Sequence, residues 1–465
     1  MGNRINTRQF LDELPAEWPV DLLPEIQQRV RDERRKIVVL DDDPTGTQTV
    51  HSVPVLTEWT VSALCAEFAN DLPAFFVLTN SRSLSLADAQ ALNRAVGAHL
   101  RQAAQQTGRE FTVISRSDST LRGHFPGEVQ ALAGALETNF DSWLIIPFFL
   151  EGGRYTIDNV HYVDEGGWWI PAGETPYAQD PVFGYRASNL TAWIEEKTGV
   201  SAAEVAAISI DDIRRGGPTR VAARLLALPH GALCVINAVS YRDLEVVVAG
   251  ILEAEAQGRQ FLYRTAASFA RVRAGIASRP LLSKFDLGEL SAGGGLFFVG
   301  SYVPKTTGQV MALLALPDMA GIEVEVALLL DDDRRDQEIA RAADVANATL
   351  AYGADAVIYT SRRLITGDNI SSLTIGKHIS EGLVSIVRAI HARPRYLVAK
   401  GGITASDIAT QGLLVRRALV LGQILPGVPV WQPGTESRYP GMPYIVFPGN
   451  VGGPEALVEI AARLA

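Results

Sequence analysis

Only two cysteines, Cys65 and Cys234, occur in 465 residues, and they lie far apart. They support neither a disulfide framework nor a paired-cysteine metal site, so a reducing compartment fits. Apolar runs are short: 143–150, among the longest, falls far below the roughly 20 residues that span a bilayer. The first residues are charged and hold no apolar segment of the signal-peptide kind, so a cytoplasmic, non-membrane protein is expected. An excess of positive charge is also missing; the formal net charge is -10, which argues against a nucleic-acid backbone as the main partner. The seven histidines include no HExxH or similar spacing; His124 and His161 flank polar motifs, and packing or surface roles are expected for the rest. No GxxxxGK[ST] loop, GxGxxG fingerprint, internal repeat or low-complexity tract is found.

What is there is apolar substance in short pieces. At 47% hydrophobic content the chain can bury more than one core, and cores stop growing near roughly 250–300 residues, so two domains are expected. β-Branched and aromatic runs at 37–40, 74–78, 111–114, 143–146 and 233–236 alternate with amphipathic stretches such as 87–105 and 128–136. Strands apolar on both faces, alternating with helices, predict an α/β fold: two domains, each with a largely parallel sheet flanked by helices. A looser piece, 274–295, ends in three glycines and reads as a linker between domains at 1–273 and 296–465. The second domain is expected to place strands near 296–299, 324–330, 356–359, 396–399 and 444–447.

Three polar clusters each follow an early strand: Asp41-Asp42-Asp43-Pro44-Thr45-Gly46-Thr47-Gln48, then Thr79-Asn80-Ser81-Arg82-Ser83, then Ser115-Arg116-Ser117-Asp118-Ser119-Thr120-Leu121-Arg122-Gly123. Ligands of open α/β sheets bind beyond the carboxyl ends of the strands, so the clusters should converge on one crevice. The residue types suit a polyhydroxylated acid. Arg82 and Arg122 offer planar forks to a carboxylate. Asp42, Asp43 and Asp118 can accept hydrogen bonds from sugar hydroxyls, and one of them could take a proton; Thr45, Ser81 and Ser119 are counted as substrate-binding. Serine and aspartate after a strand also serve as plain helix caps. Neighbouring carboxylates repel, however, and such crowding is usually tolerated where something binds. The same first cluster also matches the signature of haloacid-dehalogenase-like phosphatases, with Asp41 as nucleophile and Asp331-Asp332-Asp333 as a late acidic pair. That acidic run reads better as a solvated turn.

In the second half, Gly300-Ser301-Tyr302, Lys400-Gly401-Gly402-Ile403-Thr404 and Pro448-Gly449-Asn450-Val451-Gly452-Gly453 each follow an expected strand. Glycine lets backbone N–H groups approach phosphates, and a helix N-terminus adds its dipole. Strand-to-helix turns also require glycine for geometry alone.

Taken together, these motifs resemble the four-carbon acid sugar kinase family, whose members act on threonate, erythronate and 3-oxo-tetronate. The resemblance runs from about Ile37 to the C-terminus. It rests on Asp42-Asp43-Pro44-Thr45-Gly46, Thr79 to Leu84, Asp118-Ser119-Thr120-Leu121-Arg122-Gly123, Gly153-Arg154, Val160-His161-Tyr162-Val163, Tyr263-Arg264-Thr265-Ala266 and the three glycine turns. It implies an acid-sugar-binding N-terminal domain and an ATP-binding C-terminal domain, with ATP contacts at Ser301, Gly401, Gly402, Ile403, Thr404, Gly449 and Asn450. Mg²⁺ is expected with the ATP, and its ligands stay open, as does oligomeric state, a homodimer included. The expected activity is transfer of a phosphoryl group to a hydroxyl of a small acid sugar, with domain closure excluding water. Two departures stand out: Phe447-Pro448 where many members carry Lys-Ser, and Gly401-Gly402-Ile403-Thr404 where many carry Gly-Gly-Glu-Thr, here preceded by Lys400. A long middle, 158–190, points to a different or larger substrate such as a branched acid sugar. A non-catalytic acid-sugar or nucleotide sensor is the remaining alternative.

Overall fold

A computed structural model describes residues 5–6, 11–300, 304–361, 372–449 and 451–465. The chain forms two compact units, Met1–Thr49 with Glu58–Ser278, and Val50–Thr57 with Arg279–Ala465. A short early segment thus belongs with the C-terminal unit, an exchange that no local sequence pattern announces.

In chain order the strands begin with β1 (Ile5–Asn6), β2 (Lys36–Asp41), β3 (Val53–Leu56), β4 (Ala74–Leu78), β5 (Phe111–Arg116) and β6 (Ser142–Ile146). There follow β7 (Arg154–Ile157), β8 (Val160–Asp164), β9 (Trp168–Pro171), β10 (Ala206–Ile208), β11 (Ala232–Ile236) and β12 (Phe261–Thr265). The remainder are β13 (Leu296–Val299), β14 (Met319–Val324), β15 (Asp355–Thr360), β16 (Leu397–Lys400), β17 (Arg417–Leu425), β18 (Val428–Pro433) and β19 (Tyr444–Phe447).

The main sheet of the first unit runs β10-β11-β6-β12-β5-β2-β4, with every pairing parallel. All residues of β2 and β4 are buried, as strands covered on both faces must be. One covering helix, Leu86–Thr107, shows why the sequence folds this way. Ser85 caps its start by accepting from the Asp88 N–H at 3.2 Å, and Gly108 ends it in the left-handed conformation at φ 64°. Ala89, Val96, Leu100 and Ala103 recur on its inward face. In register, Asp41 lies opposite Leu78 on one side and Arg116 on the other, and Arg116 lies opposite Thr265. The three polar clusters therefore open at one level. β4 and β5 flank β2 on opposite sides, so the strand order reverses between β2 and β5, where α/β sheets bind ligands.

A second, small antiparallel sheet, β1-β9-β8-β7, was not anticipated from the sequence. Its strands are short, and its core mixes Ile157, Tyr162 and Trp169, with Tyr155 stacked on Trp169 at 4.5 Å between centroids.

The sheet of the second unit runs β3-β17-β18-β19-β16-β13-β15-β14, antiparallel as far as β19 and parallel beyond it. Val299 lies opposite Lys400, and Lys400 opposite Phe447, so the turns after β13, β16 and β19 are neighbours. The strand expected over 324–330 is displaced. β14 ends at Val324, and Val326–Leu329 is a helical turn that buries Val326 and Leu329, three residues apart. β14 is an edge strand with only Ile322 and Val324 buried, so its signal was weaker than that of the apolar turn beside it. The expected linker 274–295 is also more than a tether. Leu282 and Leu287 are buried in the second core, and the Leu282 N–H donates to the Gln423 carbonyl at 2.7 Å. Among the described residues, no helix is long and apolar enough to cross a membrane.

Candidate active site

The three strand-end clusters of the first unit meet as the register requires. Asp41, the last residue of β2, is buried and ion-paired to Arg116 Nη1 at 3.0 Å. A β-carbon at residue 46 would lie 1.9 Å from Asp41 Oδ2, so only glycine lets the chain pass. Asp43 accepts from the Thr45 N–H at 2.8 Å and from the Thr45 hydroxyl, capping the short Pro44–Thr47 turn. Its other oxygen receives Arg82, whose second nitrogen lies 3.4 Å from Asp118 Oδ1. Asp118 in turn accepts from Arg122 Nε at 2.7 Å and from the Thr120 hydroxyl. Arg82 and Arg122, expected to grip a substrate carboxylate, are thus already engaged with protein carboxylates.

Asp42 differs. It is only 3% exposed, and among the described residues neither carboxylate oxygen has a hydrogen-bond partner, although Arg116 Nη1 stands 3.7 Å from Oδ1. A buried carboxylate left this way is costly and marks a place where a ligand donor is expected. Gly123, at φ 119°, lies close by; a β-carbon there would sit 3.3 Å from Asp42 Oδ2. The preceding Leu121 takes φ 68°, a left-handed conformation unfavourable for leucine that the loop imposes.

These environments separate the carboxylates. Burial, offset in part by Arg82, pushes Asp42 up to about 6, with Glu128 adding to the rise. Burial likewise raises Asp41 to about 7 against the pull of Arg116. Against the same push of burial, Arg82 and the Thr45 hydrogen bonds hold Asp43 below its ordinary value. Arg122 and Arg82 overcome burial at Asp118 and hold it far below the carboxylate range.

Several participants were missed by the sequence reading. Glu128, buried in the Gly127–Leu136 helix, accepts from the hydroxyls of Ser81 at 2.9 Å and Ser117 at 3.2 Å. Nothing distinguished it from other glutamates on an amphipathic stretch. Arg116, Arg154 and Arg264 stood inside quoted motifs but were given no role. Ser119 contributes its carbonyl, which accepts from His161 Nε2 at 2.7 Å; the Nδ1 of that ring therefore accepts from the Thr156 hydroxyl at 3.0 Å. Burial lowers His161 to about 4, so the ring is neutral and braces the loop. His124 holds the Leu84 carbonyl at 3.0 Å. Residues 331–333 of the phosphatase reading form an exposed turn in the second unit, with Asp332 paired to Arg335.

In the second unit, Gly401 takes φ 106° and opens the Gly402–Asp407 helix, which continues through Ile408–Gly412. Thr404 packs on Gly300; a β-carbon at 300 would lie 2.9 Å from Thr404 Oγ1. Ile403 is exposed, and a β-carbon at Gly449 would meet nothing within 4 Å. Lys400 is fully buried between these turns; its Nζ donates to the Pro448 carbonyl at 3.2 Å. Burial, with Lys305 nearby, lowers it to about 7. Ser301 and Asn450 lie outside the described residues. Glycine turns around a buried ammonium suit phosphate oxygens. Among the described residues no group of three or more histidine, cysteine or acidic side chains is placed to hold a metal ion.

Fold and site define a two-domain α/β protein with an acidic and arginine-rich site at the strand ends of one unit and glycine turns around a buried lysine in the other. Residues 37–273 match the family described as a sugar-binding N-terminal domain, and residues 296–457 the one described as a nucleotide-binding C-terminal domain. The chain belongs to this two-domain family. A Haemophilus influenzae protein, HI1011, shares the fold at 17% identity and TM-score 0.64, over 92% of this chain and 100% of that one. A Salmonella typhimurium LT2 protein does so at 17% identity and TM-score 0.67, over 92% and 98%. A Bordetella bronchiseptica protein with bound citrate, crystallised as a domain-swapped dimer, matches at 21% identity over 92% and 98%, with a TM-score of only 0.40. No curated protein matches the chain.

Proposed function

We propose that the chain is an ATP-dependent kinase that phosphorylates a hydroxyl of a small acid sugar, serving carbohydrate catabolism. The observation that carries this reading is Asp42: a buried carboxylate without hydrogen-bond partners among the described residues, in a domain of the sugar-binding family joined to one of the nucleotide-binding family. A sugar hydroxyl donating to Asp42 would satisfy the orphaned oxygens and be aligned for attack. As that oxygen bonds to the γ-phosphorus and the bond to the ADP oxygen breaks, its proton passes to Asp42. A carboxylate raised to about 6 is ionised at neutral pH yet basic enough to accept it. Asp43 and Asp118, neutralised by arginines, hold the crevice in shape. In the second unit, Lys400 and the backbone of Gly401, Gly402 and Gly449 would cradle the phosphates. ATP would supply the phosphoryl group, and Mg²⁺ carried on its phosphates would offset their charge.

The test is ADP formation by purified protein with ATP and Mg²⁺ across four-carbon and branched acid sugars. Acid-dependent ADP formation supports the reading. Phosphate release from phosphoesters without nucleotide would favour the phosphatase, and ligand binding without turnover a sensor.

A further inference from the structure

Among the described residues, two buried guanidiniums of the first unit make no ion pair within 4.0 Å, although the charges of Asp42, Glu128 and Asp118 act on Arg264. Arg264 is 2% exposed, and its terminal nitrogens reach only backbone carbonyls: Arg122 at 3.1 Å, Thr265 at 3.4 Å and Asp118 at 3.5 Å. Arg154, at the start of β7, is 8% exposed. Among the described residues its guanidinium has no hydrogen-bond acceptor and no carboxylate within 4.0 Å, and its Nε is buried and unpartnered. The Arg154 guanidinium lies over the Tyr177 ring, 5.6 Å from the centroid; the Arg122 guanidinium lies 5.3 Å from that same centroid. The Tyr177 ring adjoins the substrate loop through Arg122, and Tyr185 braces the same loop by donating to the Thr120 carbonyl at 2.8 Å.

An arginine buried with no anion is expensive to keep, because desolvation of the charge is uncompensated. Arg82 and Arg122 are satisfied by Asp43, Asp118 and Asp180, the last 3.5 Å from Arg122 Nη1. Among the described residues, Arg154 offers a planar fork with no acceptor beside the Asp118 to Gly123 loop, whereas Arg264 spends its nitrogens on carbonyls of that loop. We propose that Arg154, backed by the Tyr177 ring, is the anchor for the substrate carboxylate. This rests on the acid-sugar reading and sharpens it: the ligand is an acid held at Arg154, not at the arginines the sequence singled out. The small sheet that carries Arg154 then has a purpose, which is to bring a cation over the strand ends of the main sheet.

Binding is measured by calorimetry without nucleotide, using four-carbon and branched aldonates and their neutral polyol counterparts. The wild type is expected to prefer an acid over its polyol. Arg154→Met should weaken the preferred acid by about 100-fold, leave the polyol nearly unchanged and not lower the melting temperature of the unliganded protein. Arg154→Lys, which keeps the charge and loses the fork, should fall between. Three results would overturn the proposal: no acid preference in the wild type, an intact preference in Arg154→Met, or equal loss of acid and polyol with a lowered melting temperature. Acid binding at Arg154 without ADP formation would leave the anchor standing while the kinase reading fails.

Discussion

Gly46 passes so close to Asp41 that a β-carbon would stand 1.9 Å from its Oδ2. The contact ties a glycine of the first polar cluster to the buried Asp41–Arg116 ion pair beneath it. Gly46→Ala must displace that carboxylate and break its ion pair with the buried Arg116, leaving only the longer approach of Asp42 at 3.7 Å. The expected loss is about 3 kcal/mol or more of folding stability, read from chemical denaturation. An unchanged midpoint would contradict the geometry.

Asp42→Asn and Asp43→Asn should move stability in opposite directions. Asp42 is raised in the folded state, so its folded form holds protons more tightly than the unfolded chain. Its contribution is therefore fully present below about pH 4 and lost as pH rises through about 6. Removing that charge should raise the melting temperature at pH 8, with the gain shrinking toward pH 4. Asp43 is lowered, so its contribution is present at neutral pH and lost on acidification. Asp43→Asn leaves Arg82 with one partner fewer and should melt earlier at pH 7. Thermal melts across pH decide both.

Turnover should follow the same separation. Asp42→Asn is expected to lower kcat by about 10²–10⁴-fold while acid and nucleotide binding persist. In the wild type, kcat/KM should fall on the acid side as Asp42 gains its proton near pH 6. Turnover retained in Asp42→Asn would remove it as the proton acceptor.

If the proposed phosphate site lies at Lys400, nucleotide binding carries a signature. The lysine's folded value near 7 leaves the amine mostly neutral at pH 8. A phosphate placed against it would restore the charge, so nucleotide binding at pH 8 should take up close to one proton. Calorimetry in buffers of different ionisation enthalpy measures that uptake. Lys400→Met should bind nucleotide more weakly and without it. Equal proton uptake in both proteins would place the phosphates elsewhere.

Much of the first site was legible because its chemistry is local. Asp42, Asp43, Arg82, Asp118 and Arg122 lie directly after strands whose apolar runs are unmistakable, and a parallel sheet brings such positions to one edge. Their division of labour was not legible. Nothing in the run Asp41-Asp42-Asp43 says that the first pairs with Arg116, the third with Arg82, and the second with neither through a hydrogen bond. Those partners arrive from 39 and 75 residues away. Glu128 and Arg154 escaped for a similar reason: each sits on an ordinary element, and only tertiary packing turns it toward the loops. The small sheet and the transfer of β3 to the second unit are long-range pairings, which short strands do not advertise.

The most direct test of the whole account is acid-dependent ADP formation by the purified protein with ATP and Mg²⁺, run beside Asp42→Asn. The account predicts ADP formation with at least one four-carbon or branched acid sugar, none with the corresponding neutral polyol, and near-complete loss in the variant. ADP formation that ignores the acid, or that survives in Asp42→Asn, would contradict it.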